Sequence, residues 1–424
     1  MPLTSTTGTA SGTMTTAPRN KYALAVLGLG AFVIGTAELV VVGVLGLIAS
    51  DLGVSVGTAG LLVTAYALGI ALGGPLLTAL TIKVPRRTLL WLALAVFIGG
   101  NLVAVAGGAF GMVVAARVLC GALHGLFIGS ASAVATQLVA PERRGQAVGL
   151  VFGGIAVSTV FGVPLGTLVG QALGWRATFV GVVVLGVIAL LATVSLVPPV
   201  RGTGSAGLGE QARHAFAPRV LVMLLAGLLL LGSQFTVFTY LAPFLEEVTG
   251  IGGGAVSAFL LVFGVFSAVG TFGGGRFADR NASNTLTVGA VILIAAIGAL
   301  HLFGSNPVLV GLALAAWGLV GFGVTPALQL RVISLAGAGG DLAATLGASA
   351  VNAGIAVGAA VGGWALAAYG VGEVPLVALV GCAVALPVVW ATRFLKVPGG
   401  GAPDGGAGVA PVQVDSGTPA PVEQ

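Results

Sequence analysis

Apolar stretches long enough to cross a bilayer recur along this chain from Tyr22 to Phe394. A helix rises about 1.5 Å per residue, so roughly 20 apolar residues cover the ~30 Å hydrocarbon core. Of the 424 residues 57% are hydrophobic and 7% charged, whereas a soluble domain carries about 25% charged residues to hydrate its surface. So little charge cannot clothe a water-facing surface, and lipid is the solvent expected for most of the fold. The 71 glycines would signal low complexity in a soluble chain. Here they lie inside the apolar stretches, where they let helix backbones approach closely.

Breaks at charges and Gly/Pro turns place helices near 21–47, 57–80, 88–106, 111–137, 145–172 and 177–197, then near 219–243, 255–276, 285–303, 307–332, 342–369 and 374–395. The first stretch is too long for a cleaved signal peptide and reads as a retained span. The longest polar interruption, 198–218, separates six helices from six. The expected organisation is a polar, disordered tail at 1–20, a six-helix half at 21–197, a central loop at 198–218, a second half at 219–396 and a Gly/Pro-rich, disordered tail at 397–424.

The net charge of +5 does not point to nucleic acid, because the basic residues are scattered between apolar spans. With the N-terminus in the cytoplasm, fifteen of the seventeen Lys and Arg residues fall in inside segments; Arg176 falls in an outside loop and Arg117 within a span. The positive-inside rule therefore predicts a multi-pass protein of the cytoplasmic membrane, the inner membrane of a cell with two, with both termini and the central loop in the cytoplasm.

The chain also repeats itself. Shifted by 197 residues, Gly35-Thr36 meets Gly232-Ser233, Tyr66 meets Phe263, Gly73 meets Gly270, and the basic loop Lys83 to Arg87 meets Arg280 to Asn284. A parallel repeat of six-helix halves is a transporter plan in which the binding site lies between the halves near the midplane.

Glu38 is the carboxylate that lies well inside a predicted span, and an acid in hydrocarbon is a functional pointer unless paired. Counted from the outer ends of their spans, Glu38 and Arg117 lie about 14 and 9 Å deep, so the two charges can meet. Either Glu38 exchanges protons or binds substrate, or it forms a structural ion pair with Arg117. His124, seven residues after Arg117 on the same helix face, is a second proton or substrate group or a hydrogen-bonded packing residue. Tyr66, Gln234, Phe238, Thr239, Tyr240 and Asn352 are placed to line a central cavity. His301 is expected at a membrane interface, His214 in the central loop, and Cys120 and Cys382 as packing residues without metal-ligand spacing.

Four motifs carry a family resemblance. Gly275-Arg276-Phe277-Ala278-Asp279-Arg280 reads as a G-x-L/F-A-D-R loop, and its first-half counterpart keeps Lys83, Arg86 and Arg87 but has Thr78 for the glycine and Ile82 for the acid. Span four carries Arg117 and Gly121 in an R-x-x-x-G pattern followed by His124-Gly125. Span five carries Gly154 and then Gly162-Val163-Pro164-Leu165-Gly166-Thr167-Leu168-Val169-Gly170, followed by Gly174-Trp175-Arg176. Over 20–397 the sequence resembles the major facilitator superfamily, in particular its twelve-helix drug:proton antiporters and the branch of arabinose-efflux-like and chloramphenicol-efflux-like proteins. The resemblance implies an all-α membrane fold of twelve helices in two pseudo-symmetric halves. It also implies gating by Gly162, Pro164 and Gly166 and by Gly275, Asp279, Arg280, Lys83, Arg86 and Arg87. For the first-half loop, topogenic charge is the competing reading, and for span five a kinked packing helix.

The function expected is proton-coupled efflux of a small apolar or amphipathic compound, such as a drug or antibiotic, by alternating access. Glu38, Arg117 and His124 would serve proton coupling. The partners expected are the substrate, protons and lipid, with no nucleic acid, cofactor or metal, and a monomeric chain. A sugar or nucleoside exporter and an importer or uniporter of the same fold stay open. A membrane enzyme is disfavoured, because the three histidines sit in separate segments and no span carries H-E-x-x-H or paired carboxylates.

Overall fold

The structure is a computed structural model that describes residues 18–81, 83–140, 143–199 and 213–398. The tails at 1–17 and 399–424 and most of the central loop lie outside the described residues. Among those described, every regular element is helical, and 12 helices are long and apolar enough to cross a membrane. The first six are α1 (Asn20–Asp51), α2 (Val56–Leu80), α3 (Arg86–Ala106), α4 (Phe110–Gln137), α5 (Gln146–Leu173) and α6 (Trp175–Leu196). The second six are α7 (Pro218–Glu247), α8 (Gly254–Ala278), α9 (Arg280–Phe303), α10 (Pro307–Ala336), α11 (Leu342–Tyr369) and α12 (Val371–Phe394). Each coincides with a stretch read from the sequence.

The largest difference falls between α8 and α9. The Gly275–Arg280 motif, expected as a loop, continues the α8 helix, and the non-helical backbone is confined to Asn281 at φ −161° and ψ 91°. Asn281 makes that break sharp because its Oδ1 accepts a hydrogen bond from the amide of Asn284 at 2.9 Å, capping the helix that follows. The side chain of Asp279 is outside the described residues.

The repeat seen in the sequence reappears in the turns. α1 ends before Gly53 at φ 63° and α7 before Gly250 at φ 73°; α5 ends at Gly174 with φ 86° and α11 at Gly370 with φ 87°. These left-handed conformations are cheap only for glycine and stop a helix cleanly. Side chains repeat the pattern. Asn20, at the start of α1, donates to the carbonyl of Leu138 beyond the end of α4 at 2.9 Å, and Arg219, at the start of α7, donates to that of Leu335 at the end of α10 at 2.7 Å. Leu138 and Leu335 are themselves 197 residues apart, so the same end-of-helix carbonyl is satisfied twice in the same way.

Within the first six helices α1 lies against α5 and α6, and α3 against α4 and α6; within the second six α7 lies against α11 and α12, and the α8–α9 pair against α10 and α12. The groups meet along α2–α11, α5–α8 and the end of α7 on α1. With twelve such helices the start of α1 and the end of α12 lie on one face, and the halves close against each other toward the opposite, far face. There the Tyr240 hydroxyl has two carbonyls within reach of its one proton, that of Ala359 at 2.9 Å and, across the interface, that of Gly57 at 3.4 Å. Thr64 of α2 donates to the Ala356 carbonyl of α11 at 3.2 Å.

Candidate functional site

α1 is held in place by glycines. A methyl group added at Gly162, Gly166 or Gly170 of α5 would collide with Thr36, Val40 or Val44 of α1 respectively. The side chains of α1 spaced four apart thus seat in a groove of absent side chains on α5, which sets the height and rotation of Glu38 between them. α2 and α4 are seated likewise: a methyl at Gly121 would meet the carbonyl of Tyr66, and one at Gly125 would lie 2.7 Å from the Cα of Gly74.

These seats bring Glu38, Arg117 and His124, read from the sequence as neighbours, together with Tyr66, read there only as a cavity-lining residue. The structural ion pair of Glu38 with Arg117, one of the two readings of the sequence, is not how they meet. The Arg117 guanidinium, 1% exposed, donates to the backbone carbonyls of Ala37 at 2.7 Å, Glu38 at 3.1 Å and Leu62 at 3.3 Å. It lies 4.0 Å above the Tyr66 ring. A buried guanidinium has several N–H groups to satisfy and these carbonyls still offer lone pairs, so arginine ties α4 to α1 and α2 through backbone. The carboxylate is left to His124, whose Nδ1 lies 3.5 Å from Glu38 Oε2 and 3.3 Å from the Tyr66 hydroxyl. That hydroxyl also reaches the Ile34 carbonyl at 3.4 Å.

Glu38, Tyr66 and Arg117 form one wall of a narrow cleft, closed in this conformation to anything as large as a water molecule and completed by Leu39, Val42, Val63 and Ala67 and, from the second half, by Phe235 and Ile355. The pocket therefore lies between the halves, polar on the first-half side and apolar on the other.

A family model described as Major Facilitator Superfamily matches residues 27–348. The chain belongs to the Major Facilitator Superfamily. It is a multi-pass membrane transporter. It is 37% identical over 356 residues to the MFS-type transporter YtbD of Bacillus subtilis (strain 168), covering 82% of this chain and 90% of that one. It is 33% identical over 374 residues to the inner membrane transport protein YdhP of Escherichia coli (strain K12), covering 87% and 95%. It is 33% identical over 339 residues to a chloramphenicol resistance protein of Streptomyces lividans, covering 79% and 86%. Among solved structures, a bacterial homologue of the human lysosomal transporter Spinster in an inward-facing, occupied conformation superposes with a TM-score of 0.73 at 18% identity, covering 90% of this chain and 97% of that one. That likeness is one of fold.

The other cavity candidates of this facilitator lie outside the lining of the central pocket. Gln234 accepts from the indole N–H of Trp317 at 3.0 Å and donates to the Gly321 carbonyl at 3.4 Å. Phe238 is stacked among Phe235, Phe263 and Trp317. The hydroxyl of Thr239 donates to the Phe235 carbonyl, Tyr240 forms the far-face contact described above, and Asn352 donates to Ala348 of its own helix. Among the gating candidates, Gly162 and Gly166 pack α5 on α1, and Pro164 follows a widened turn at Ser158–Gly162. Lys83 lies in the α2–α3 turn, and Arg86 and Arg87 open α3; Arg87 donates to the Val194 carbonyl at the end of α6 at 2.6 Å. His301 comes within 4.0 Å of Glu373 at the far face. Sequence reasoning missed Phe235 and Ile355, since an apolar cavity wall reads like a lipid-facing one. The repeat held the signal for Phe235, which is the residue that meets Glu38 under the 197-residue shift.

Proposed function

We propose that this facilitator exports a small apolar or amphipathic compound in exchange for protons, with Glu38 as the coupling group and His124 beside it. The observation that carries the reading is a single carboxylate in a pocket formed by both halves, touching an imidazole and left free of the neighbouring arginine. The apolar wall of Phe235 and Ile355 suits an apolar substrate surface. Similarity to a chloramphenicol resistance protein supports efflux and the drug:proton antiporter branch. We place the termini and central loop in the cytoplasm on the distribution of basic residues, which makes the closed far face the outer one.

In this scheme the two halves rock about the pocket, exposing Glu38 alternately to each side. Protonation removes the charge that otherwise faces Arg117 and His124, so the two conformations differ in proton affinity. A hundredfold difference corresponds to about 2.7 kcal/mol, enough to bias two states a few kcal/mol apart. Asp279 and its basic neighbours act at the inner face, where Asp279→Asn is expected to lower transport at unchanged folded yield.

The deciding experiment is Glu38→Gln in proteoliposomes. Glutamine mimics the protonated acid, so substrate binding should persist while uphill export driven by a pH gradient and substrate-dependent proton release both disappear. Undiminished proton exchange would remove Glu38 from the mechanism. Loss of binding confined to cationic compounds, with neutral ones still exported uphill, would make it a substrate counter-ion instead.

A further inference from the structure

Two helices of the first half contain one widened π-turn each, at Gly69–Gly73 in α2 and Ser158–Gly162 in α5. Their construction is similar. In α2 the amide of Gly74 donates to the carbonyl of Gly69, five residues back, while keeping the α-helical bond to that of Ile70, and Pro75 follows; in α5 the amide of Val163 donates to the carbonyl of Ser158, again five back, and Pro164 follows. Proline has no N–H and its ring crowds the carbonyl four residues earlier, so the preceding turn relieves the crowding by widening. Such a turn holds fewer and weaker constraints than an α-helical one and is a common place for a helix to bend. Among the described residues the second half has no π-turn.

Both turns lie between the site and the opposite half. The α2 turn packs on α4, where a methyl at Gly73 would meet Ala122, and it touches α11 on its other side. The α5 turn packs on α1, where Gly162 faces Thr36, and on α8, where Gly264 abuts the carbonyl of Thr159. Tyr66 is three residues before the first turn, and Thr36 is two residues before Glu38. A bend at either turn therefore moves a wall of the polar site relative to α11 or α8.

We propose that Gly69–Pro75 is a hinge equivalent to Ser158–Pro164, and that the two bend together so that the first half flexes while the second moves as a rigid body. The proposal rests on alternating access, though not on Glu38 as the coupling group.

Hydrogen exchange and spin-label distances test it without a transport assay. In the parent protein, in detergent micelles, amides of 69–74 should exchange at least tenfold faster than those of 62–66 one turn earlier. Pro75→Ala, which restores the missing N–H, should slow them at least tenfold. Spin labels at Leu80 and Phe277, on a background with Cys120 and Cys382 replaced by alanine, should give a broad distance distribution that narrows in Pro75→Ala as it does in Pro164→Ala. Pro75→Ser serves as a second variant with a restored N–H. Equal exchange at 69–74 and 62–66 in the parent overturns the hinge whatever the variants do. So does a distance distribution that Pro164→Ala narrows and the Pro75 variants leave unchanged. A positive result alongside normal proton exchange by Glu38→Gln would keep the hinge and discard the coupling group.

Discussion

The two halves share a backbone plan and divide the chemistry. Under the 197-residue shift Glu38 meets Phe235, Tyr66 meets Phe263, Arg117 meets Leu314 and His124 meets Gly321. Each residue of the polar cluster thus has an apolar counterpart. In the second half the equivalent space holds Phe235, Phe238, Phe263 and Trp317 in mutual contact, with Gln234 satisfied by Trp317 and Gly321. An unpaired polar group in the membrane interior costs several kcal/mol, and at the place equivalent to the polar cluster the second half closes the amide of Gln234 onto internal partners. In the first half the donors of Arg117 go to backbone, and Glu38 lies beside His124. In the proposed function this asymmetry separates a half that responds to protons from one that serves as a fixed wall.

The strongest way to break this comparison is to give the first half the second half's residue. Arg117→Leu removes three charge-assisted hydrogen bonds that join α4 to α1 and α2. At about 1.5–3 kcal/mol for each such bond, a loss of at least 4 kcal/mol is expected, read as collapse of folded yield or of the thermal transition in detergent. Arg117→Lys should recover only part, since an ammonium cannot span three carbonyls. A Leu variant within about 1 kcal/mol of the parent would show that the guanidinium does not hold these helices together.

The converse change addresses the second half. Gln234→Leu leaves the Trp317 indole N–H without its acceptor and should cost about 1–3 kcal/mol of stability, while the ratio of export with and without a pH gradient stays at the parent value. Adding Trp317→Phe should restore part of that stability, because the indole N–H is removed with its acceptor and only the long 3.4 Å bond to the Gly321 carbonyl is lost uncompensated. If Gln234 instead contacts substrate, the single variant would lose affinity for some compounds and the second change would not rescue it. That outcome would erase the division between a responsive and a fixed half.

What the sequence revealed follows the physics of each feature. Twelve helices and their turns were legible because hydrocarbon thickness imposes a length on every apolar run and charges punctuate them. The clustering of Glu38, Arg117 and His124 was legible because buried ionisable residues are rare enough to point at one another; that Tyr66 joins them was not. The partners within the cluster were not. Charge complementarity suggested a Glu38–Arg117 pair, but backbone carbonyls, which every position supplies, satisfied the arginine instead. The apolar wall was equally hidden, since Ile355 differs in no local property from a residue facing lipid. The π-turn of α2 left a trace in Gly73-Gly74-Pro75, which matters only once its register is compared with α5.

The smallest expected effect concerns the far face, where the halves touch and the comparison becomes one of contact. Tyr240 is the second half's one aromatic hydroxyl reaching across to the first among the described residues, its proton shared between the carbonyls of Ala359 at 2.9 Å and Gly57 at 3.4 Å. Tyr240→Phe keeps the ring, which Gly60, Gly362 and Gly363 accommodate by lacking side chains, and removes only the hydroxyl. A neutral hydrogen bond contributes about 1 kcal/mol net, or roughly a fivefold change in an equilibrium between states closed and open on this face. The Ala359 carbonyl sits inside the α11 helix and the Gly57 contact is long, so the fold should be unaffected. A cysteine introduced at Thr64, in a background lacking Cys120 and Cys382, lies behind this contact, and a polar thiol reagent should label it about fivefold faster in Tyr240→Phe. Faster labelling with unchanged thermal stability would make the hydroxyl a latch between the halves. Equal labelling rates would mean that glycine packing alone closes this face, and that the second half contributes shape there and no specific bond.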